Sequence, residues 1–159
     1  MKNVEFDKIL GIDYGDFYIG TAIFDKKTDF TYPYKTLNRK KSNVLRKSIR
    51  ELIEIIEAEN IDLVVIGYPI NMDDTLGERV LKVKTFAKML LNKIKNSFEK
   101  EIQIYFQDER LTTFEANEYL SNAGINNKDK KKYIDQVAAV LIIKDFLKNT
   151  NNRIKYENE

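Results

Sequence analysis

The sequence predicts a single α/β domain built on a mixed five-stranded sheet with helices on both faces. Three observations carry that prediction. The chain opens with closely spaced apolar runs, Ile9-Leu10-Gly11-Ile12 and Tyr18-Ile19-Gly20-Thr21-Ala22-Ile23-Phe24, separated by the turn at Gly15. Further along, Leu63-Val64-Val65-Ile66 is apolar on both faces, as a covered central strand must be. Helix-spaced apolar residues then alternate with the remaining strand signals.

In chain order, strands are expected at about Lys8 to Tyr14 and at Phe17 to Asp25, joined as a hairpin. Thr31 to Thr36 reads as a third strand. Pro33 cannot donate to a ladder, which places this strand at a sheet edge. Asn38-Arg39-Lys40-Lys41 reads as a basic loop, and Ser42 as the N-cap of a helix to about Glu59. Ile61 to Gly67 is the central strand, followed by a loop from Tyr68 to Leu76 and a helix from Gly77 to Ser97. Ile102, Ile104 and Phe106 alternate along a fifth strand ending at Gln107-Asp108-Glu109-Arg110. Thr112 to Ala123 reads as a helix, with Thr112 and Glu115 as a capping box and Gly124 as its stop. Asn126 to Lys132 reads as a polar connection, and the last helix as running from about Lys131 to Lys148. The domain is expected over residues 1–149, with 150–159 a frayed tail. Three strands on short loops should form an antiparallel meander, and the two helix-separated strands should add in parallel.

Composition narrows the chemistry. The 159 residues include no cysteine and no histidine. Disulfides, thiolate catalysis, cysteine or histidine zinc sites and histidine-based triads are therefore excluded. A net charge of +2 gives no general attraction to nucleic acid, so any basic surface has to be local. Met1 to Asp7 carries no hydrophobic signal segment and no run is long enough to span a bilayer, so a cytoplasmic location with no membrane partner is expected.

Carboxylates are the remaining candidates. Asp13 ends the first strand just before Gly15, and Asp108 and Glu109 end the last. Asp135 lies near the start of the last helix, on a face continued by Ala138, Ala139 and Ile142. Each also has a plain structural role. Asp13 suits a turn, Asp108 and Glu109 suit surface pairing with Arg110, and Asp135 suits a helix's first turn. Together, acids converging without histidine suit a hard, oxygen-seeking cation such as Mg²⁺ or Mn²⁺, the kind used to hydrolyse phosphodiesters.

Four blocks, in order and over nearly the whole length, resemble the YqgF/RuvX family. They are Leu10-Gly11-Ile12-Asp13-Tyr14-Gly15 with Ile19-Gly20-Thr21-Ala22, Val65-Ile66-Gly67-Tyr68-Pro69-Ile70-Asn71-Met72-Asp73, Asp108-Glu109-Arg110-Leu111-Thr112-Thr113-Phe114-Glu115-Ala116, and Asp135-Gln136-Val137-Ala138-Ala139. The first block is shared with sugar kinases and actin-like ATPases; the second and third together are specific. Members of the family are ribonuclease H-like proteins described as Holliday-junction resolvases and as nucleases maturing the 5′ end of 16S ribosomal RNA precursors.

The resemblance implies a ribonuclease H-like sheet and a catalytic, metal-binding set of Asp13, Asp135 and one of Asp108 and Glu109, with Glu109 favoured. It places Asn71 and Asp73 near the site, with Arg110 orienting a carboxylate or meeting a phosphate. The family usually has glycine where this chain has Asp74, an added acid in a loop facing an anionic substrate. Lys128, Lys130, Lys131 and Lys132, just before Asp135, are the expected phosphate contacts, beside the Asn38–Lys41 loop with Arg46, Lys47 and Arg50; their grip should be salt-dependent and blind to sequence.

The expected function is thus a Mg²⁺- or Mn²⁺-dependent endonuclease on structured nucleic acid. Precursor 16S rRNA is the favoured substrate, with the small ribosomal subunit a possible partner. Holliday-junction resolution by the same site is the rival, and a resolvase should be a homodimer rather than a monomer. A non-catalytic ribosome-assembly factor is a further alternative. An ATP-binding protein of the actin type needs two lobes, for which this chain is too short.

Overall fold

The computed structural model describes residues 5–39, 44–71, 73, 75–109, 112–148 and 153–156. The chain forms β1 (Lys8–Tyr14), β2 (Tyr18–Asp25), β3 (Phe30–Asn38), α1 (Leu45–Ala58), β4 (Leu63–Tyr68), α2 (Glu78–Ser97), β5 (Gln103–Asp108), α3 (Thr112–Asn122), α4 (Asn127–Lys148) and β6 (Arg153–Tyr156). The sheet order is β3-β2-β1-β4-β5-β6. β1 pairs antiparallel with β2, and β2 with β3, which gives the meander. β4 adds parallel to β1, and β5 parallel to β4. Pro33 does lie on an edge strand, at a register shift where the missing N–H costs no central ladder bond.

Two expectations need correction. The sheet has six strands, not five: residues 153–156, read as part of a frayed tail, pair antiparallel with β5. α4 begins at Asn127, earlier than expected. Asn126 caps it, its Oδ1 accepting from the Asp129 N–H at 2.9 Å. The supposed lysine-rich connection is therefore helical, and Asp135 lies roughly two turns into α4 rather than near its start. The proposed cap Ser42 and the side chain of Thr112 lie outside the described residues; α1 is preceded by Val44 with no side-chain cap.

Period-two alternation sorts the strands between two cores. Leu10, Ile12, Ile23, Val64, Ile66, Ile104 and Phe106 face α1 and α2, where Leu52, Ile56, Phe86, Leu90 and Ile94 meet them. Ile9, Ala22, Phe24, Leu63 and Val65 face α4, against Ala139, Ile142, Ile143 and Phe146. Every residue of β4 is buried, as a strand covered on both faces requires. The same alternation, continued past the apolar residues, assigns Asp13 to the α4 face, two positions on from Gly11. Among the described residues, no helix is long and apolar enough to cross a membrane.

Candidate active site

Asp13 is the last acid of β1 on the α4 face, and its cross-strand partner on β2 is Gly20. A Cβ added at Gly20 would overlap the backbone carbonyl of Asp135. Only a residue without a side chain lets α4 come this close, and that approach carries Asp135 to Asp13. Glu109 arrives from the other side. Tyr105 packs on the α4 face and Phe106 on the opposite one, so alternation returns Gln107 and Glu109 to the α4 face. The Glu109 N–H donates to the Tyr68 carbonyl at 3.2 Å, which extends the β4–β5 pairing beyond Asp108. Its carboxylate lies over Gly67, where an added Cβ would stand 2.6 Å from Oε2. Bare backbone on β2 and β4 thus makes room for acids brought from α4 and from the end of β5.

The electrostatics record the crowding. Burial is the main cause that pushes Asp13 up to about 6, and the Asp135 charge adds to the rise. A hydrogen bond with Glu109 and the Arg79 guanidinium act the other way. Glu109 is held well above the ordinary range, first by burial and then by the Asp13 charge, with Arg79 again opposing. Asp135, more open, is raised by burial. Buried acids this close raise each other's affinity for a proton, as paired carboxylates do. Among the described residues, no donor reaches the buried Glu109 Oε1. A buried, donorless carboxylate oxygen is costly unless it is protonated or bound to a cation.

The other expected site residues are distributed around this centre. Asp108, half-buried at the end of β5, reaches Asp145 as well as Glu109 with its charge. Asn71 donates from Nδ2 to Thr75 Oγ1 at 2.9 Å, closing its own loop, while Asp73 Oδ1 accepts from Thr75. Lys131 lines a cavity of about 580 Å³ with Phe17, Tyr18, Ile134 and Asp135. Lys130 donates to Ser121 Oγ on α3, and Lys128 is exposed. Arg110, Asp74, Lys40, Lys41 and the side chain of Lys132 lie outside the described residues.

Two basic residues come out differently from their sequence reading. Arg39, placed there in a basic loop, is buried. Its Nη1 donates to Tyr14 Oη at 3.1 Å and to the Gly15 carbonyl at 2.8 Å, and its guanidinium lies 5.1 Å from the Tyr14 ring centroid. Tyr14 in turn stacks on Phe86 at 4.4 Å. Arg39 is therefore a clamp on the turn after Asp13. Arg39→Ala should cost about 2–4 kcal/mol in denaturant unfolding, because it strips a buried hydroxyl and a half-buried carbonyl of their donor. Arg39→Lys should restore the loss only in part: one ammonium has donors enough for both acceptors, but it loses the flat guanidinium's packing beside the Tyr14 ring. Arg79, near the start of α2, was not singled out in the sequence. It lines a second cavity, of about 250 Å³, with Tyr14, Gly15, Asp16, Phe17, Lys82 and Val83. Nothing in a surface helix marks such a residue; only the packing of α2 beside the β1–β2 turn does.

Known proteins resemble this chain in sequence and in fold. Residues 7–149 match the family described as "RuvX: Holliday junction resolvase". A protein of Lachnospira eligens named "Putative pre-16S rRNA nuclease" is 35% identical over 142 residues, covering 89% of this chain and 97% of the relative. One of the same name from Ruminiclostridium cellulolyticum is 39% identical over 140 residues, covering 88% and 93%. Among solved structures, T. thermophilus RuvC in complex with a Holliday junction substrate superposes with a TM-score of 0.54 at 10% identity, covering 94% of this chain and 99% of that one. The fowlpox virus Holliday junction resolvase gives 0.51 at 14% identity, covering 89% and 97%. These two likenesses establish the fold, a RuvC-like ribonuclease H sheet with one strand more than the sequence suggested.

Proposed function

This chain belongs to the RuvX family, and from that membership we propose that it is a metal-dependent endonuclease that hydrolyses phosphodiester bonds in structured nucleic acid. The 5′ end of precursor 16S rRNA is its favoured substrate, in keeping with the name its relatives carry. The observation that supports the reading most is the convergence of Asp13, Glu109 and Asp135 at one end of the sheet, with a buried Glu109 oxygen that no donor among the described residues reaches.

The residues present fit a hard divalent cation. The donors are all carboxylate oxygens, the set that Mg²⁺ and Mn²⁺ prefer. Among the described residues no group of three acids is placed to hold a metal ion as it stands, so the side chains would have to close in on one. Asp13, Glu109 and Asp135 would hold the ion, with Asp108 outside the set. When bound, such an ion supplies the positive charge that offsets the growing negative charge on the phosphodiester.

The chain's own side chains do the rest. Glu109 lies over the bare backbone of Gly67 and Asp135 over that of Gly20, which sets both acids beside Asp13. Arg39 keeps the turn after Asp13 fixed. Arg79 and Lys131, on the walls of the two flanking cavities, supply positive charge for the phosphates on either side. Such contacts orient the strand without reading its bases.

Two labelled substrates tested side by side separate the readings: a precursor fragment spanning the 5′ end of 16S rRNA, and a four-way DNA junction. Cutting of the rRNA fragment with Mg²⁺ or Mn²⁺, lost with chelator and in Asp13→Asn, is the expected result. Cutting of the junction alone, by a dimer, would move the assignment to junction resolution, the activity in the family's description. Binding of the rRNA without cutting in any metal would favour an assembly factor on the small ribosomal subunit.

A further inference from the structure

Phe17 sits in the turn immediately after Asp13 and is 59% exposed. A large apolar ring in water at the mouth of a polar site calls for a reason. Its surroundings supply one. On one side Phe17 walls the cavity that holds Lys131 and Asp135; on the other it walls the cavity that holds Arg79 and Lys82. Phe17 thus stands between two cavities, one carrying Lys131 beside Asp135, the other carrying Arg79 and a Lys82 that is paired with Asp16 at 3.2 Å.

The turn beneath it is also rigid. The Phe17 carbonyl accepts the Arg39 N–H at 2.8 Å, and Arg39 Nη1 holds the Gly15 carbonyl at 2.8 Å. Tyr14, stacked on Phe86, anchors the strand end. The backbone is fixed from below while the ring is left open above. An exposed aromatic on a fixed backbone loses little freedom when something flat lies on it.

We propose that Phe17 is a stacking platform for an unpaired base adjacent to the scissile phosphate, so that the site selects a nucleotide displaced from a duplex. The inference rests on the nuclease reading for the word scissile, but the stack itself needs only a nucleic-acid strand. The chemistry of the surroundings favours this occupant. Stacking on an aromatic ring combined with lysine and arginine along the backbone is how proteins hold single strands irrespective of sequence. A paired base keeps both its faces in the helix stack and offers none to Phe17. Lys131 is placed to meet the phosphate on the Asp135 side, and Arg79 the one on the far side.

The test uses a 12-nucleotide single-stranded RNA with one central 2-aminopurine, and the same strand annealed to its complement. Binding is followed by fluorescence quenching on wild type, Phe17→Ala and Phe17→Tyr, all also carrying Asp13→Asn so that no strand is cut. Cleavage by the Asp13 forms of the same three is measured separately. Quenching of the single strand by wild type and Phe17→Tyr is expected, with Phe17→Ala weakened about five- to 150-fold in Kd and the duplex bound no better than Phe17→Ala binds the single strand. Because Phe17 is exposed, its replacement should leave the circular dichroism and melting temperature unchanged, and that control removes misfolding as an explanation. Equal binding and quenching by wild type and Phe17→Ala would overturn the inference while leaving the nuclease reading to its own assay. Phe17-dependent quenching in a protein that cuts nothing would uphold the stack and count against the nuclease.

Discussion

Asp13→Asn should yield a protein that is more stable than wild type at neutral pH and yet does not cut nucleic acid. Both effects come from the same burial. Asp13 holds its proton more tightly in the folded chain, up to about 6 against an ordinary 3.8, and Glu109 is shifted the same way. Between those two values the folded state binds more protons than the unfolded one. Stability from this group is therefore fully present below pH 3.8 and is lost as pH rises through about 6. At 1.36 kcal/mol per pKa unit the loss is on the order of 3 kcal/mol. Asparagine has no proton to lose, so the variant should escape most of that cost and also relieve Glu109 of a charged neighbour. Urea unfolding from pH 5 to pH 8 should show both proteins weakening with pH, the variant less steeply, because buried Glu109 still titrates in it. Cleavage should fall roughly a hundred- to a thousandfold or more, the scale of removing one preorganised electrostatic partner. A variant less stable than wild type at pH 8 would mean that Asp13 is a structural acid.

Gly20→Ala is expected to have the second largest effect, by a different route. The added methyl would run into backbone of α4 at Asp135, which cannot swing aside as a side-chain tip can. Either β2 or α4 must shift. Overpacking of this kind costs about 3 kcal/mol in denaturant unfolding. The shift also withdraws Asp135 from Asp13, and misplacement by about an ångström can cost on the order of a hundredfold in rate. Activity should thus fall even at low temperature, where the variant remains folded. Unfolding curves and cleavage rates that match wild type would show that α4 is not held at Gly20.

Much of this was legible in the sequence, for reasons that can be named. Pro33 marks the edge strand because it lacks an N–H. The unbroken apolar run of β4 marks the strand covered on both faces. The acids at 13, 109 and 135 stood out because no histidine or cysteine competes with them.

What stayed hidden depends on tertiary contacts. The first turns of α4, Asn-Lys-Asp-Lys-Lys-Lys, contain no apolar residue, so they give no periodicity, and only the Asn126 cap reveals the helix. β6, Arg-Ile-Lys-Tyr, is too short and too polar to read as a strand until β5 offers it an edge. Arg39 looks like any loop arginine until Tyr14 and Gly15 enclose it. Choosing Glu109 over Asp108 for the α4 face needs the register of β5, which alternation within the strand leaves open until one apolar residue is assigned to a face.

The most direct test of the carboxylate centre is a calorimetric titration of Mn²⁺ into wild type, Asp13→Asn and Glu109→Gln, in buffers of differing ionisation enthalpy near pH 6.5, with melting temperatures taken alongside. Wild type should bind Mn²⁺, release a proton as the Asp13–Glu109 pair opens, and melt higher with the ion present; the two variants should bind weakly, release no proton and gain no stability. Binding of equal strength in all three folded proteins would place the cation elsewhere and contradict the account.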